Sequence, residues 1–454
     1  MSRRAFVTTV GAAGLGGALA AGTDARAWAA DRVFDGQDVL PDRAVIVAGG
    51  EVVQVLPRDR VPPGVAVTHE PGTTILPGLI DAHVHCMAWQ DPLFLAYGVT
   101  MVRDVGNDLQ WILACRERAR TALSPTILCA GPLIDGPTPL HPIVARACVD
   151  AADAVTAVRE TAEAGVDAIK LYVRLPAEWL PALVAEAHAH GLKTSMHCQG
   201  TGVLAAAEAG VEEFHHLDGL LADLWPGQPG WLEAWGDPGM AATLDAQRRV
   251  ADRIAACGMA ATPTLAYWNS QWRLRAADFS AENETPGVPS EMHAWQGEAT
   301  DAALSERWRR ALEAAQGFVR LLLEREVSVL AGSDAPCGAQ TPGLSLWREL
   351  SLLAEAGMPP LHALRAATSG LGSLLNRPGL GRLQPGSAAD LVVVRGDLTA
   401  AIPQQPDITA VVRGGVAHQP SHLLAEARKV ASRVTEDPWS AQFRAHRPKA
   451  GDAQ

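Results

Sequence analysis

Residues 76–85 read LPGLIDAHVH, an apolar run that follows a Pro-Gly pair and ends in two histidines. A short, continuous apolar run of this kind is typical of a strand buried on both faces of a sheet. Alternate side chains of a strand lie on the same face, so His83 and His85 are expected to point to the same side. Two imidazoles placed in this way can share a cation, although an H-x-H pair alone is weak evidence for a metal site.

Seven further segments rich in Val, Ile, Leu and Thr repeat this pattern, and each is followed by a turn and an Ala-rich amphipathic stretch. Buried strands that alternate with helices predict a parallel sheet covered on both faces. Eight such units within roughly 300 residues fit a (β/α)8, or TIM, barrel with insertions. An open doubly wound sheet is the alternative. The predicted strands span residues 74–85, 98–105, 125–130, 166–173, 192–197, 211–216, 259–265 and 327–334.

The sequence on either side of the predicted barrel, residues 76–375, has a different pattern. Residues 30–75 and 376–420 carry short alternating strands separated by Gly and Pro turns. They are predicted to form one small β-sandwich domain built from both chain ends. Residues 421–454 are predicted to form a helix over 422–434 and then a polar tail, to which no chemistry is assigned.

Residues 1–29 resemble a twin-arginine export signal. Arg3-Arg4 and Phe6 precede a weakly apolar Gly/Ala run, and Ala27-Trp28-Ala29 offers a small-residue cleavage site. A cytoplasmic leader with a chance arginine pair is the alternative. The prediction is export of the folded protein to the periplasm or the extracellular space.

The composition excludes several classes of protein. Hydrophobic residues make up 48% of the chain and charged residues 19%, which is typical of a globular protein. Asp and Glu outnumber Lys and Arg, 50 to 38, and no stretch is polybasic, so nucleic acid is not an expected partner. Beyond the N-terminal stretch no apolar run is long enough to span a bilayer. The seven cysteines include no C-x-x-C pair, which argues against a zinc–thiolate site.

Residues of metal-ligand type stand at the ends of five predicted strands. Active sites of such barrels form at the carboxyl ends of the strands, so these side chains are expected to converge. Each would usually be structural if it stood alone, and a buried Lys is most often ion-paired. Together they predict a metal centre. The residues are His83 and His85, Lys170, His197, the His215-His216 pair, and Asp334.

The chain resembles the amidohydrolase superfamily of metal-dependent hydrolases over most of its length. Residues 76–85, 98–104, 168–170, 332–335 and 386–391 carry the resemblance. Residues 263–265 (PTL) and 366–369 (AATS) indicate the branch of imidazolonepropionase-related and prolidase-like enzymes.

This resemblance implies two divalent cations, and imidazole and carboxylate ligands suit zinc best. It implies that Asp334 acts as proton shuttle for a water bridging the cations. Lys170 would bridge the pair as an N-carboxylated side chain, because burial favours the neutral amine that takes up carbon dioxide. The implied ligands are His83, His85 and Asp334 for the first cation, His197 and His216 for the second, and Lys170 between them.

Two departures from the family pattern bear on the site. His215 stands where relatives commonly have Glu before the ligand histidine, and residues 173–176 (VRLP) replace a Ser/Gly-rich loop. Tyr172, His141 and Arg174 are candidate contacts for a substrate carboxylate. Seven tryptophans are concentrated between residues 225 and 308; they form either an apolar substrate wall or packing for an insertion.

The expected activity is hydrolysis of an amide bond in a small molecule, a dipeptide or an N-acyl amino acid. A lactonase, esterase or organophosphate hydrolase with the same binuclear centre is one alternative. An exported metal-binding barrel without activity is the other. The sequence is compatible with a homo-oligomer, and no membrane partner is expected for the mature form.

Overall fold

The computed structural model describes residues 24–121, 123–227, 230–290, 292, 301–431 and 437–445. The strands in these residues are β1 (Arg26–Phe34), β2 (Val39–Ala48), β3 (Glu51–Pro57), β4 (Ala66–Pro77), β5 (Leu79–Val84), β6 (Val99–Asp104), β7 (Thr126–Cys129), β8 (Leu133–Asp135), β9 (Ala145–Ala147), β10 (Ile169–Leu171), β11 (Thr194–His197), β12 (Glu213–His215), β13 (Ala260–Thr262), β14 (Leu391–Arg395), β15 (Ile408–Arg413) and β16 (Val416–His418).

The described helices are mostly short and connect these strands. They are α1 (Asp91–Ala96), α2 (Leu109–Ala119), α3 (Ala151–Glu163), α4 (Leu180–Ala189), α5 (Val203–Glu208), α6 (Leu221–Leu224), α7 (Trp231–Gly236), α8 (Leu244–Ala256), α9 (Leu265–Leu274), α10 (Ala281–Glu284), α11 (Ala302–Glu324), α12 (Leu344–Glu355), α13 (Pro360–Ala366), α14 (Ser369–Leu374), α15 (Pro420–Ala431) and α16 (Pro438–Ala445). None of these helices combines the length and the apolar character that a membrane span requires.

Strands from both ends of the chain form one seven-stranded sheet with the order β16-β15-β14-β4-β1-β2-β3. β1 runs parallel to β4 and antiparallel to β2. The small domain is thus built from both ends, as the sequence predicts. Its strands are hydrogen-bonded into a single sheet, however, where the sequence predicts a sandwich.

Strand β1 starts earlier than the sequence predicts. Residues 26–29, assigned above to the leader, are its first half, and Ala27, Trp28 and Ala29 are buried. Cleavage after Ala29 would remove residues that pair with both β2 and β4. The predicted leader end at residue 29 therefore falls inside the sheet. The twin-arginine motif itself lies outside the described residues.

Two parallel sheets carry the strands predicted for the barrel. One is β5-β6-β7, and the other has the order β13-β12-β11-β10-β8-β9. Residues 327–334 lie between them: the Leu330 amide donates to Ala261 O at 2.9 Å, and the Ala82 amide donates to Ala331 O at 3.0 Å. This eighth predicted strand makes only isolated bridges. The structure thus shows two parallel sheets in place of one closed eight-stranded barrel.

The extended backbone of this segment ends at Asp334, whose φ of 63° lies in the left-handed region. A non-glycine residue rarely adopts this conformation, and residues that do so are concentrated at functional sites. The turn interrupts the strand at the position where the sequence predicts a ligand. Local geometry and predicted function therefore coincide at Asp334.

Glu349 on α12 is a fully buried carboxyl that accepts a hydrogen bond from the Ala266 amide, at 2.7 Å, in the first turn of α9. Burial raises its pKa to about 8. A raised acid pKa means that the folded protein holds this proton more tightly than the unfolded chain does. The contribution of Glu349 to stability is therefore lost as the pH rises from about 4.5 toward 8.

We expect the Glu349→Gln variant to gain stability relative to the wild type as the pH rises across this window, by up to ~1.4 kcal/mol per pH unit. Gln keeps an oxygen that accepts from the helix but has no proton to lose. Thermal unfolding at pH 5, 6, 7 and 8 measures the difference. Glu355→Gln, at the exposed end of the same helix, is the matched control. If the stability of the wild type and of Glu349→Gln changed with pH by the same amount, the expectation would be wrong.

Candidate active site

The carboxyl ends of the parallel strands surround a cavity of about 350 Å³. All six predicted metal ligands line it, although they come from segments up to 251 residues apart in the chain. Tyr172 and His141, two of the three predicted substrate contacts, line it as well. The cavity therefore collects most of the residues singled out from the sequence.

His83, His85 and Asp334 form the tightest part of this cluster. The Nε2 atoms of His83 and His85 lie 3.3 and 3.4 Å from the same carboxylate oxygen, Oδ1 of Asp334. One ligand atom from each residue lies within 4.8 Å of the other two, and all three residues are buried. The three residues form a group that can hold a cation.

Three of the histidines have one ring nitrogen engaged by an oxygen. His85 Nδ1 lies 3.3 Å from Gly106 O, His197 Nε2 lies 2.9 Å from Asp218 Oδ2, and His216 Nδ1 lies 2.7 Å from Thr264 Oγ1. A partner on one nitrogen fixes the ring orientation and leaves the other nitrogen for a ligand. This is the arrangement expected of metal-binding imidazoles.

His83 shows the clearest sign of a missing partner. Both of its ring nitrogens are buried, and neither makes a hydrogen bond in the described residues; Nε2 lies 3.3 Å from Asp334 Oδ1, but without hydrogen-bond geometry. Buried polar atoms are almost always satisfied, so an orphaned imidazole points to a group that binds there. Burial, followed by the neighbouring His215 and His216, lowers the pKa of His83 well below its usual value. The neutral form that results is the one that ligates a cation.

Lys170, on β10, is buried to 1% exposure and lies in the cavity wall. Burial lowers the pKa of its amine to about 7. Its Nζ lies 2.5 Å from Nδ1 of His215. An amine in this setting is neutral in a large fraction of molecules near neutral pH, which makes it a nucleophile.

A buried polar network supports Lys170 from below. His215 Nε2 lies 3.1 Å from Glu213 Oε1, and Glu213 accepts two hydrogen bonds from Arg103, at 2.6 and 2.7 Å. Burial alone raises the pKa of Glu213, but Arg103 and His215 outweigh it and lower the pKa overall. His215 does not line the cavity. His215 thus contacts Lys170 from outside the cavity wall. Of the two adjacent histidines, His216 is the one that faces the cavity.

The geometry separates the three candidate substrate contacts. Tyr172 is buried with its ring 5.3 Å from that of His197, and His141 lies 5.9 Å from Tyr172, measured between ring centroids. Arg174 is exposed and absent from the cavity wall; its guanidinium donates to Thr138 O and its amide to Asp135. The predicted carboxylate clamp at Arg174 is therefore not supported by the structure.

The tryptophan cluster serves both of the suggested purposes. Trp231 and Trp268 line the cavity, with ring centroids 5.1 Å apart. Trp225, Trp235 and Trp308 do not line it; the rings of the first two pack edge to face with centroids 5.0 Å apart, and the ring of Trp308 packs 5.1 Å from that of Trp231. Trp272 also lies outside the wall, and Trp295 falls outside the described residues.

Sequence reasoning missed the contribution of the C-terminal helix. Trp439 and Phe443 on α16 line the cavity, although residues 421–454 carried no expected chemistry. Their spacing of four residues places both on one face of a helix, which is the one signal that the sequence offers. Gln199, Asp218, Tyr267 and Cys337 are further wall residues that the sequence analysis did not single out.

Comparisons with known proteins agree with this geometry. The Amidohydrolase family profile matches residues 74–418. No functionally curated protein matches the chain by sequence. Among solved structures, a bottromycin amidohydrolase has 25% identity and a TM-score of 0.73, with 95% of each chain covered. A Xaa-Pro dipeptidase with bound methionine has 19% identity and a TM-score of 0.64, covering 87% of this chain and 100% of that chain.

A putative prolidase from Bifidobacterium longum is similar at 22% identity with a TM-score of 0.64, covering 89% of this chain and 98% of its own. At this identity the likeness concerns the fold. The family match, in contrast, spans most of the chain. It includes every residue that lines the cavity except Trp439 and Phe443 on α16. The chain therefore belongs to the amidohydrolase family.

Proposed function

We propose that this protein hydrolyses the amide bond of a dipeptide or N-acyl amino acid with the help of two divalent cations, which we take to be zinc. The observation that supports this most strongly is the convergence of four histidines, Lys170 and Asp334 on one cavity. Imidazole and carboxylate ligands of this kind suit zinc. Bound there, the cations would supply an acidified water and polarise the scissile carbonyl.

His83, His85 and Asp334 would hold the first cation, and His197 and His216 the second. Lys170 would join the two after carboxylation. In that step the neutral amine would attack carbon dioxide: a nitrogen–carbon bond forms, one carbon–oxygen π pair moves onto oxygen, and one N–H proton passes to a base, for which Nδ1 of His215 lies 2.5 Å from the amine. The lowered pKa of Lys170 favours this reaction, because an ammonium has no electron pair to donate.

Asp334 is the group we assign to proton transfer. Its carboxylate contacts His83 and His85 and lines the cavity in which a water and the scissile amide would bind. It would take a proton from the attacking water and deliver it to the leaving nitrogen. Transfer of this kind requires a positioned carboxylate that can bind and release one proton in each cycle.

The substrate class rests on the cavity wall and on the solved relatives. One similar structure is a prolidase complexed with N-methylphosphonate-L-proline, whose proline part carries a carboxylate. Tyr172 and His141 are the groups we assign to a substrate carboxylate here. Five further aromatic side chains line the cavity and suit an apolar substituent: Trp231, Tyr267, Trp268, Trp439 and Phe443.

We further propose export of the folded protein by the twin-arginine route to the periplasm or extracellular space. A removable leader would have to end before Arg26, where β1 begins. Cell fractionation and N-terminal sequencing of the exported protein test this proposal. An Arg3→Lys, Arg4→Lys double variant is the matched control for the twin-arginine motif.

The function is tested by screening zinc-loaded protein against dipeptides, N-acyl amino acids and lactones, with metal content measured on the same sample. We expect close to two zinc ions per chain and turnover of amides ahead of lactones. Faster turnover of lactones would replace the proposed substrate class with an ester. A protein that binds no divalent cation would overturn the mechanism.

A further inference from the structure

We infer that the C-terminal helix α16 completes the active site: Trp439 positions His85, and Trp439 with Phe443 forms an apolar subsite for a large, preferably aromatic, substituent of the substrate. This rests on the proposed function and deepens it. The inference draws on a segment far from the strand-end ligands in sequence and outside the span of the family match.

A single carbonyl connects Trp439 to the candidate ligand His85. The Nε1–H of Trp439 donates to Gly106 O at 2.7 Å, and His85 Nδ1 lies 3.3 Å from the same oxygen. A carbonyl oxygen has two lone pairs and can accept both hydrogen bonds. Trp439 is only 2% exposed, and its ring also packs 4.4 Å from that of His85. The helix thus touches His85 directly and through its hydrogen-bond partner.

The loop that carries the Gly106 carbonyl is hydrogen-bonded to the Asp104 carboxylate. Asp104 accepts hydrogen bonds from the amides of Gly106, at 3.1 Å, and Cys86, at 2.7 Å, and from the side chain of Asn107, at 3.0 Å. Cys86 follows His85 directly, so this carboxylate joins the loop to the end of β5. Trp439 adds the remaining contact to a loop that is otherwise fixed at its base.

Helix α16 is anchored at its start and near its middle. At its start, Asp437 accepts hydrogen bonds from the amide and hydroxyl of Ser440, at 2.8 and 2.9 Å, and from the Ala88 amide at 3.4 Å. Further along, Gln442 accepts one from the Ile143 amide at 2.9 Å. These contacts bind the helix to the segment after β5 and to the loop that carries His141. The position of Trp439 over the cavity is therefore built into the fold.

The side of the cavity formed by α16 is apolar. Phe443 packs 5.4 Å from Trp439, and Trp439 lies 5.4 Å from His141, measured between ring centroids. Lys170 is the only Lys or Arg among the residues described as lining the cavity, and it belongs to the ligand cluster. Aromatic rings recognise a substrate by burying apolar area and stacking. A large apolar group beside the scissile amide is what this wall fits.

The positioning role is tested by zinc affinity, measured in competition with a chromogenic chelator on the metal-free full-length protein. We expect Trp439→Ala to weaken zinc binding by roughly 10-fold or more, as loss of a partner behind a metal ligand commonly does. Trp439→Phe keeps the ring but not the N–H, and it should weaken binding by less. Arg444→Ala, an exposed residue of the same helix, should match the wild type.

Wild-type zinc affinity in both Trp439 variants would overturn the positioning role. Should Trp439→Ala fail to fold, as judged by circular dichroism, Trp439→Phe alone decides between the two outcomes. Because this measurement needs no substrate, it stands even if the protein hydrolyses none of the amides tested.

The subsite is tested with N-acetyl-L-phenylalanine and N-acetyl-L-alanine. We expect the wild type to favour the first, and Phe443→Ala to reduce that preference by roughly 10-fold, mainly through KM. An equal effect on both substrates would overturn the subsite. If the wild type turns over neither compound and no dipeptide of the screen, the proposed function fails. Equilibrium binding of N-acetyl-L-phenylalanine then decides the subsite: weaker binding by Phe443→Ala supports it, and unchanged binding overturns it.

Discussion

Replacement of Asp334 with Asn is expected to lower kcat for amide hydrolysis by roughly 10²- to 10⁴-fold. Asn keeps the size and one oxygen of the carboxylate, so the turn at Asp334 and the packing around it should persist. It cannot bind and release a proton near neutral pH, which removes the transfer assigned to this residue. The measurement is steady-state kinetics on the best amide from the substrate screen, with zinc content determined on the same samples.

A second variant separates proton transfer from a general effect of removing a carboxylate. Asp108→Asn alters the N-cap of α2, where the side chain accepts a hydrogen bond from the Trp111 amide at 2.8 Å. Asn caps helices about as well as Asp, so activity should stay at the wild-type value. An Asp334→Asn variant that keeps zinc and retains more than a tenth of the wild-type kcat would contradict the role assigned to Asp334.

The ligand cluster was predictable because its signals are local. His83 and His85 follow from the alternation of side chains in β5, and Lys170 and His197 follow from their places in short apolar strands. The carboxyl ends of parallel strands meet at one edge, so convergence needed no knowledge of distant contacts. Sequence reasoning works here because strand periodicity and sheet polarity together fix where these side chains point.

The same reasoning failed where the strand ended sooner than expected. Alternation would place Tyr172 and Arg174 on one face, but β10 ends at Leu171. Beyond that residue the backbone no longer alternates, and Arg174 turns to the surface while Tyr172 stays in the cavity wall. A three-residue strand is too short for its end to be recognised from an apolar run.

Contacts between distant parts of the chain could not be predicted from the sequence, for a different reason. Trp439 lies 333 residues from Gly106 in the chain and donates a hydrogen bond to its carbonyl, and no local sequence pattern predicts that hydrogen bond. The first strand of the small domain was misplaced for the same cause. Ala27-Trp28-Ala29 looks like a cleavage site. It lies in β1, however, which pairs with β2 on one side and β4 on the other, and its three side chains are buried. Tertiary packing decides between these two interpretations of one tripeptide.

Replacement of Lys170 with Ala is expected to lower the bound zinc from two ions toward one or none, and to reduce kcat/KM by at least about 10³-fold. The amine is buried in the cavity wall beside the candidate ligand histidines, and it is the group that we assign to bridge the two cations once it carries a carboxylate. Loss of that bridge would remove a ligand from both ions and the negative charge that screens the repulsion between the two cations. Zinc analysis and kinetics on the purified variant measure both effects.

Two controls make the Lys170 result specific. Lys170→Met keeps the apolar stem and the packing against His215 but lacks the amine, so it should match Lys170→Ala in zinc content and activity. Lys193→Ala removes a part-exposed lysine, paired with Glu212, just before β11, and it should behave as the wild type. Mass spectrometry of the intact wild type under native conditions should show the added mass of one carbon dioxide. Full zinc content and activity in Lys170→Met would show that this lysine neither carries a carboxylate nor bridges the cations.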